Sequence, residues 1–168
     1  VRGVPPYIVF SDKTLEEMAA KRPATDAMMN EISGVGERKM HLYGEQFKNA
    51  IIEFLLKKEA AGEKVQGSSH ILSYALYKDG KTIEEIATQR ELKDMTVKSH
   101  LAKTYEQGED FDISMFVSEE EIDLVLGMLH LIETPYKMLD VFKYFEEEMS
   151  YDTIQFAFAH YYREATVE

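Results

Sequence analysis

The sequence predicts an all-α protein made of two small helical domains. Apolar residues recur three and four positions apart in several segments, and Ser, Thr or Pro often precedes them, as at helix starts. No run alternates apolar and polar residues in the manner of a half-buried strand. Hydrophobic residues make up 45% and aromatic residues 11% of the 168 residues, which is enough for one core or two small ones.

The first domain is predicted to span residues 1–60. Its opening stretch VPPYIVF is expected to be extended, because two adjacent prolines exclude a helix there. Helices are expected to start at Ser11 or Asp12 and to run from Pro23 and Thr25 to Glu31, from Gly36 to Tyr43, and from Glu45 to Glu59. The longest of them carries one apolar face, formed by Phe47, Ala50, Ile51, Phe54 and Leu55.

A polar linker over residues 61–67 is predicted to precede the second domain, residues 68–168. Helices are predicted there over Ser69–Lys78, Ile83–Gln89 and Met95–Glu106, then after a capping box of Ser118 and Glu121, from Pro135, and after Ser150. The last helix places Ile154, Ala157, Phe158 and Tyr161 on one face.

The stretch KTIEEIATQRELKDMTVKSHLAK, residues 81–103, has the spacing of a helix-turn-helix. Apolar residues fill the predicted crossing, and Val97 and Leu101 of the second helix point inward. A recognition helix contacts DNA through its outward residues, which here would be Thr96, Lys98, Ser99, Ala102 and Lys103. The alternative is a helical pair that only packs.

A second motif is ISGVGERKMHLYG, residues 32–44. Gly34 and Gly36 allow a tight turn, and they leave the first amides of the next helix free to face a phosphate. Arg38 and Lys39 lie in the first turn of that helix. This pattern is typical of helix-hairpin-helix elements that bind a nucleic-acid backbone without reading its sequence. The alternative is a glycine-rich corner with two solvated cations.

Acidic residues are concentrated at one end of the chain, whose formal net charge is -12. Residues 106–168 hold 16 acidic and three basic side chains, whereas residues 1–62 hold nine of each. Phosphate binding relies on Lys and Arg, so this last third is a poor candidate for DNA contact. It suits a basic protein partner, or it folds over the helix-turn-helix and mimics the charge of DNA. The FEEE run at a helix C-terminus, where the dipole disfavours acid, favours a basic partner.

Catalytic and metal-binding patterns are missing from the sequence. The five histidines lie about thirty residues apart, and His160 with Glu164 is a single pair at helical spacing. The sequence has no cysteine, no phosphate-binding loop and no Ser/His/Asp signature. No apolar run approaches the roughly 18 residues that a membrane span requires. We therefore expect neither catalysis nor a bound cofactor in this chain.

Three stretches of the first domain together resemble the HRDC domain. They are VPPYIVFSDKTLEEMA, the pair Arg22 and Pro23, and ISGVGERKMHLYGEQFKNAI, and they lie within about the first 55 residues. Residues 66–162 resemble the helix-turn-helix extension that follows the HRDC domain in some bacterial RecQ helicases. HRDC domains also occur in ribonuclease D, but the two matches in this order favour the RecQ family.

The resemblance implies an accessory region of an ATP-dependent DNA helicase that acts in recombination and repair in the bacterial cytoplasm, at the nucleoid. It implies that the motor, the zinc-bearing segment and the winged helix lie upstream, so ATP, Mg and Zn would be bound there. DNA, single-stranded or junction, is the implied partner. The implied contact residues are Tyr7, Lys21, Arg22, Arg38 and Lys39. Tyr7 would either stack on an unpaired base, worth about 1 to 3 kcal/mol, or belong to the core.

The sequence departs from the HRDC pattern at its start. HRDC domains open with a helix before VPPY, and this chain begins at Val1 without it. Loss of that helix would bare Leu15 and Phe54, so we expect a rearranged first domain or a homodimer formed through it.

Overall fold

The prediction of an all-α fold is confirmed. A computed structural model describes residues 9–63, 65–129, 131, 137–146 and 148–167, and no strand occurs within these ranges. The helices are α1 Asp12–Lys21, α2 Asp26–Asn30, α3 Glu37–Lys39, α4 Glu45–Ala60, α5 Ser69–Lys78, α6 Ile83–Gln89, α7 Asp94–Glu106, α8 Glu119–Leu129, α9 Met138–Tyr144 and α10 Tyr151–Val167. A π-helical turn, Met40–Gly44, connects α3 to α4.

Backbone contacts divide the chain into two compact units, one up to Ala75 and one from Leu76 onward. The division falls within α5, so that helix contributes residues to both units. The domain boundaries predicted from the sequence, at residues 60 and 68, stay a prediction.

Helix starts follow the capping residues named from the sequence. The Ser11 hydroxyl accepts a hydrogen bond from the Thr14 amide at 3.3 Å, and Ser150 accepts one from the Thr153 amide at 3.1 Å. The capping box at Ser118 is confirmed, because its amide donates to the Glu121 carboxylate at 2.8 Å and its hydroxyl accepts in return at 3.2 Å. These bonds satisfy amides that have no partner within the helix.

Two sequence predictions in the first unit need correction. Residues 4–10 were predicted to be extended, but Val9 is helical, so the prediction is wrong at that residue. Prolines are compatible with a first helical turn, so they do not exclude helix three residues later. Gly44 lies inside a π-helical turn and does not separate two helices. A β-carbon there would lie 2.6 Å from the Met40 sulfur, so this glycine makes room for a core side chain.

The core of the first unit is built around Phe10, which is fully buried. Its ring packs edge-on against Tyr43 and Phe47, with centroids 6.5 and 4.9 Å away. Leu15 packs against this core and is half-buried, so the expectation that it would be bare is wrong. Phe54 is 47% exposed, as expected. A second cluster of the same unit consists of Ala24, Leu55, Ile71 and Leu72.

A buried lysine, Lys48, joins α4 to the start of α2. Its side chain is 5% exposed, and its ammonium group pairs with Asp26 and, at 2.8 Å, with Glu45. Burial alone would lower the pKa of Lys48, but the hydrogen bonds to the two carboxylates outweigh it and raise the pKa. Lys48 therefore stays charged inside the first unit at neutral pH.

The second unit is organised around α10. This helix packs against α7, α8 and α9. Five of its apolar side chains are buried to 5% exposure or less: Ile154, Phe156, Ala157, Phe158 and Ala159.

The helix-turn-helix formed by α6 and α7 has its own apolar centre of Leu76, Ile86, Ala87 and Val97. Thr82 and Glu85 form a second capping box at the start of α6, which was not predicted.

We predict that Phe156→Ala lowers the free energy of unfolding of the second unit by about 3 to 5 kcal/mol, because it leaves a cavity in the core. Phe156 is fully buried and stacks on Phe116 with ring centroids 4.4 Å apart. Urea unfolding followed by circular dichroism measures the loss. Leu139→Ala is the control, since Leu139 is 54% exposed, and a loss as large for Leu139→Ala would contradict the assignment of the core.

Candidate nucleic-acid interface

The turn between α2 and α3 is held tightly against α1. Gly34 has a φ of 85°, and a β-carbon added there would lie 2.7 Å from the Thr14 hydroxyl oxygen. That hydroxyl is buried and donates a hydrogen bond to the Ser33 carbonyl at 2.9 Å. The position therefore requires glycine both for its backbone conformation and for the close approach of Thr14.

Glu17 of α1 connects a predicted contact residue, Lys21, to the same turn. Its carboxylate accepts a hydrogen bond from the Ser33 amide at 3.1 Å and pairs with the Lys21 ammonium at 2.8 Å. The bond to Lys21, followed by the bond from Ser33, lowers the pKa of Glu17, and the same pair raises the pKa of Lys21. The roles of Thr14 and Glu17 were not predictable from the sequence, because a residue that holds a turn 16 or 19 positions away has no local pattern.

Gly36 precedes α3 with an extended backbone, φ -108° and ψ 169°, and no side chain caps the helix. The Lys39 amide already donates to the Gly36 carbonyl at 2.9 Å, and that the amides before it face a phosphate stays a prediction. Gly36 itself is not required by backbone conformation or by space, since a β-carbon there would meet no atom within 4 Å. Of the two glycines, only Gly34 is needed to form the turn.

The predicted cations of the first unit differ in the contacts that they form and in their exposure. Arg38 is exposed, and within the described part of the chain no ion pair involves it. The Lys39 ammonium lies 5.3 Å from the centre of the Phe10 ring, so its stem packs over the core while its charge stays near the surface. Arg22 ends α1 in a left-handed conformation, φ 51°, and is half-buried. Tyr7 lies outside the described residues.

In the second unit, α10 covers much of the face of α7 that the sequence placed outward. The Lys98 ammonium pairs with Asp152 at 2.5 Å, and the Gln155 amide donates to the Ser99 hydroxyl at 2.7 Å. Ala102 is 1% exposed, so the prediction that it points outward is wrong. The physical reason is that α10 needs an apolar surface of its own, and small residues on α7 allow it to approach closely.

Carboxylates of two helices share the charge of Lys98. The pKa of Glu84 in α6 is lowered by its own backbone amide first, then by the Thr82 hydroxyl, with the charge of Lys98 adding to the effect. Asp152 of α10 neutralises the same ammonium directly. Among the other predicted contacts on α7, Thr96 is half-exposed and Lys103 is exposed.

The described residues contain no group of three or more His, Cys, Asp or Glu side chains placed to hold a metal ion. His160, paired in sequence with Glu164, lies 3.3 Å from the Tyr105 hydroxyl through its Nδ1 atom and stacks on that ring. Within the described ranges, no helix has the length and apolar character to cross a membrane.

We predict that Gly34→Ala destabilises the first unit by at least about 1 to 2 kcal/mol, the cost of a left-handed backbone for a residue with a β-carbon. The close approach of Thr14 adds to this cost. Gly36→Ala is the matched control two residues away and should leave stability nearly unchanged. Urea unfolding of both variants measures the difference, and equal losses would show that the turn is not held as described.

Comparison with known proteins identifies two matching families. Residues 69–158, more than half of the chain, match the helix-turn-helix domain family, and residues 1–51 match the HRDC domain. The ATP-dependent DNA helicase RecQ of Bacillus subtilis (strain 168) is 50% identical over 50 residues, which cover 30% of this chain and 8% of the relative. No solved structure matches the chain.

Two further relatives carry the same name, ATP-dependent DNA helicase RecQ. The protein of Haemophilus influenzae is 46% identical over 51 residues, and that of Pasteurella multocida is 46% identical over 49 residues. These matches cover 30% and 29% of this chain, and each spans only 8% of the relative. The chain belongs to the helix-turn-helix domain family, and its helix-turn-helix unit follows an HRDC domain as in the C-terminal region of a RecQ helicase.

Proposed function

We propose that this chain is an accessory nucleic-acid-binding region of a RecQ-type DNA helicase that unwinds DNA in recombination and repair at the bacterial nucleoid. The HRDC match and the RecQ relatives support the assignment to this helicase. In this proposal the parent protein supplies the ATP-driven motor, and the present chain adds contacts to DNA. Because the relatives are RecQ helicases, we do not propose a ribonuclease D-like role.

The first unit makes the main DNA contact in this proposal. The observation that carries it is the turn at Gly34, which Thr14 and Glu17 hold in place directly before an uncapped helix start. The open amides there and the exposed guanidinium of Arg38 would bind a backbone phosphate. Lys21, Arg22 and Lys39 would add charge, and Tyr7 would stack on an unpaired base.

The helix-turn-helix contributes less in this proposal. Lys98 and Ser99 already bind α10, so Thr96 and Lys103 are the predicted residues left to reach a phosphate. Two such contacts give weak local affinity. Weak affinity suffices for a region tethered to a helicase already on DNA, because the tether raises the effective concentration.

We predict that the chain binds single-stranded or forked DNA with an affinity that falls steeply with salt. Arg38→Ala and Lys39→Ala should each weaken binding and reduce the slope of log affinity against log salt by about 0.7 to 0.9, the loss of one phosphate contact. Tyr7→Ala should weaken binding to single strands without changing the slope. Fluorescence anisotropy with labelled oligonucleotides over a salt series provides these values.

Lys57→Ala is the matched control for this experiment. Lys57 is an exposed lysine near the end of α4, and among the described residues its ion pair is a long one, 3.8 Å from Glu53. Its removal changes the net charge by the same amount as the loss of Lys39. If all three charge variants weaken binding equally, the attraction is general and the proposed interface is wrong.

A second candidate function, a protein-interaction role, is favoured for the second unit. The contact of α10 with Lys98 and Ser99 removes the centre of α7 from the groove-facing surface. The sequence predicts, as one alternative, that the acidic last third folds over the helix-turn-helix and mimics the charge of DNA. Ile154, Phe156 and Ala157 anchor α10 in the core, each fully buried, so α10 is a fixed part of the unit and not a removable mask. Truncation before α10 would therefore unfold the unit.

We predict that Asp152→Lys and Asp123→Lys raise affinity for duplex DNA by the same factor. Each substitution changes the net charge equally, but only Asp152 pairs with Lys98, whereas Asp123 is exposed on α8. Because the core holds α10 in place, breaking this pair should not open α7. A clearly larger gain for Asp152→Lys, with both variants folded by circular dichroism, would instead indicate a regulated helix-turn-helix contact.

A further inference from the structure

Aromatic side chains form a row at the junction of α9 and α10. Tyr151 packs edge-on against Phe142 with ring centroids 5.9 Å apart, and Tyr144 packs in the same way against Phe145 at 5.4 Å. Phe142 and Phe145 are three residues apart, so they are neighbours on one side of the helix. We call Phe142, Tyr144, Phe145 and Tyr151 the aromatic row.

The aromatic row is open to solvent. Tyr144 is 54% exposed and Tyr151 is 40% exposed, while Phe142 and Phe145 are half-buried. A core tyrosine normally buries its ring and leaves only its hydroxyl at the surface, so Tyr144 and Tyr151 do not have the exposure of core tyrosines. Exposed rings grouped in this way are typical of binding surfaces.

Carboxylates are frequent in the sequence around the aromatic row. Residues 140–152 contain five acidic side chains and one basic side chain, Lys143. Asp152 is already paired with Lys98, but Glu146 and Glu148 are exposed, and no ion pair of the described residues involves either. Glu146 also follows the C-terminus of α9, where the helix dipole adds negative potential.

Aromatic faces and carboxylates together match one kind of ligand group. A guanidinium stacks on a ring and donates hydrogen bonds to a carboxylate at the same time, whereas an ammonium forms point contacts. Nucleic acid fits poorly, because the carboxylates repel its phosphates even though its bases would stack on the rings. The charge of this surface therefore favours a cationic protein segment.

We propose that the aromatic row, with Glu146 and Glu148, is a docking surface for an arginine-rich segment of a partner protein. This inference rests on the protein-interaction role proposed for the second unit and does not depend on DNA binding by the first. It gives Glu146, which follows the C-terminus of α9 where the helix dipole disfavours acid, a function in binding.

A peptide of alternating arginine and glycine, ten residues long, tests the proposal with the full chain. We expect isothermal titration calorimetry to show binding that is tighter than for the matching lysine–glycine peptide. Tyr144→Ala should weaken arginine-peptide binding by about two- to fivefold, the worth of one exposed cation–π contact. Tyr162→Ala, which removes a comparably exposed tyrosine from a later turn of α10, should have no effect.

A pair of double variants separates local recognition from net charge. Glu146→Gln with Glu148→Gln removes two carboxylates beside the aromatic row, and Glu119→Gln with Glu120→Gln removes two from the start of α8. The first pair should weaken arginine-peptide binding more than the second, although the net charge is the same. Circular dichroism establishes that each variant is folded.

Several results would overturn the docking surface. If the two peptides bind equally and the two double variants lose binding equally, the peptides are attracted by net charge alone. Loss of single-stranded DNA binding in Tyr144→Ala, with peptide binding intact, would identify a nucleic-acid surface. Loss of self-association in that variant, measured by sedimentation, would identify a contact between copies of this chain. DNA binding through Arg38 is measured in a separate experiment. If that binding is not found, the peptide result can still be interpreted.

Discussion

The need to bury α10 determines the arrangement of the second unit. Apolar side chains point from this helix in several directions, so it is enclosed by α7, α8 and α9 and does not lie on one surface. Enclosure of α10 requires α7 to supply a packing face, and Ala102 and Ser99 provide it with small side chains. The same contact places Asp152 beside Lys98, so electrostatics follows from packing.

The two units show opposite ways of presenting charge. In the first, the buried hydroxyl of Thr14 and the carboxylate of Glu17 bond to Ser33 and fix a turn that leaves Arg38 exposed. In the second, Lys98 of the helix-turn-helix pairs with Asp152 of α10, and exposed tyrosines and carboxylates lie at the junction of α9 and α10. In the proposed function the first unit binds phosphate and the second binds a cationic protein segment, and the helix-turn-helix geometry alone identifies neither surface.

Local features of the fold were predictable from the sequence, because capping and apolar spacing act over three or four residues. The caps at Ser11, Ser118 and Ser150 and the bounds of α6 illustrate this. The contact of α10 with Lys98 was not predictable, because Lys98 and its partner Asp152 are 54 positions apart in the sequence. The roles of the two glycines were not predictable either, because Gly34 differs from Gly36 in its left-handed backbone and in the approach of Thr14, and both depend on the folded structure.

The pairing of α7 with α10 also bears on how the second unit forms during synthesis. Lys98 and Ser99 meet partners 54 and 56 residues later, so α7 leaves the ribosome well before the helix that covers it exists. Contacts so distant in sequence slow folding, because a long loop must close before they are made. Until α10 emerges, the nascent helix-turn-helix exposes apolar surface and uncovered lysine, which makes this interval the one in which chaperones or stray nucleic acid would bind it.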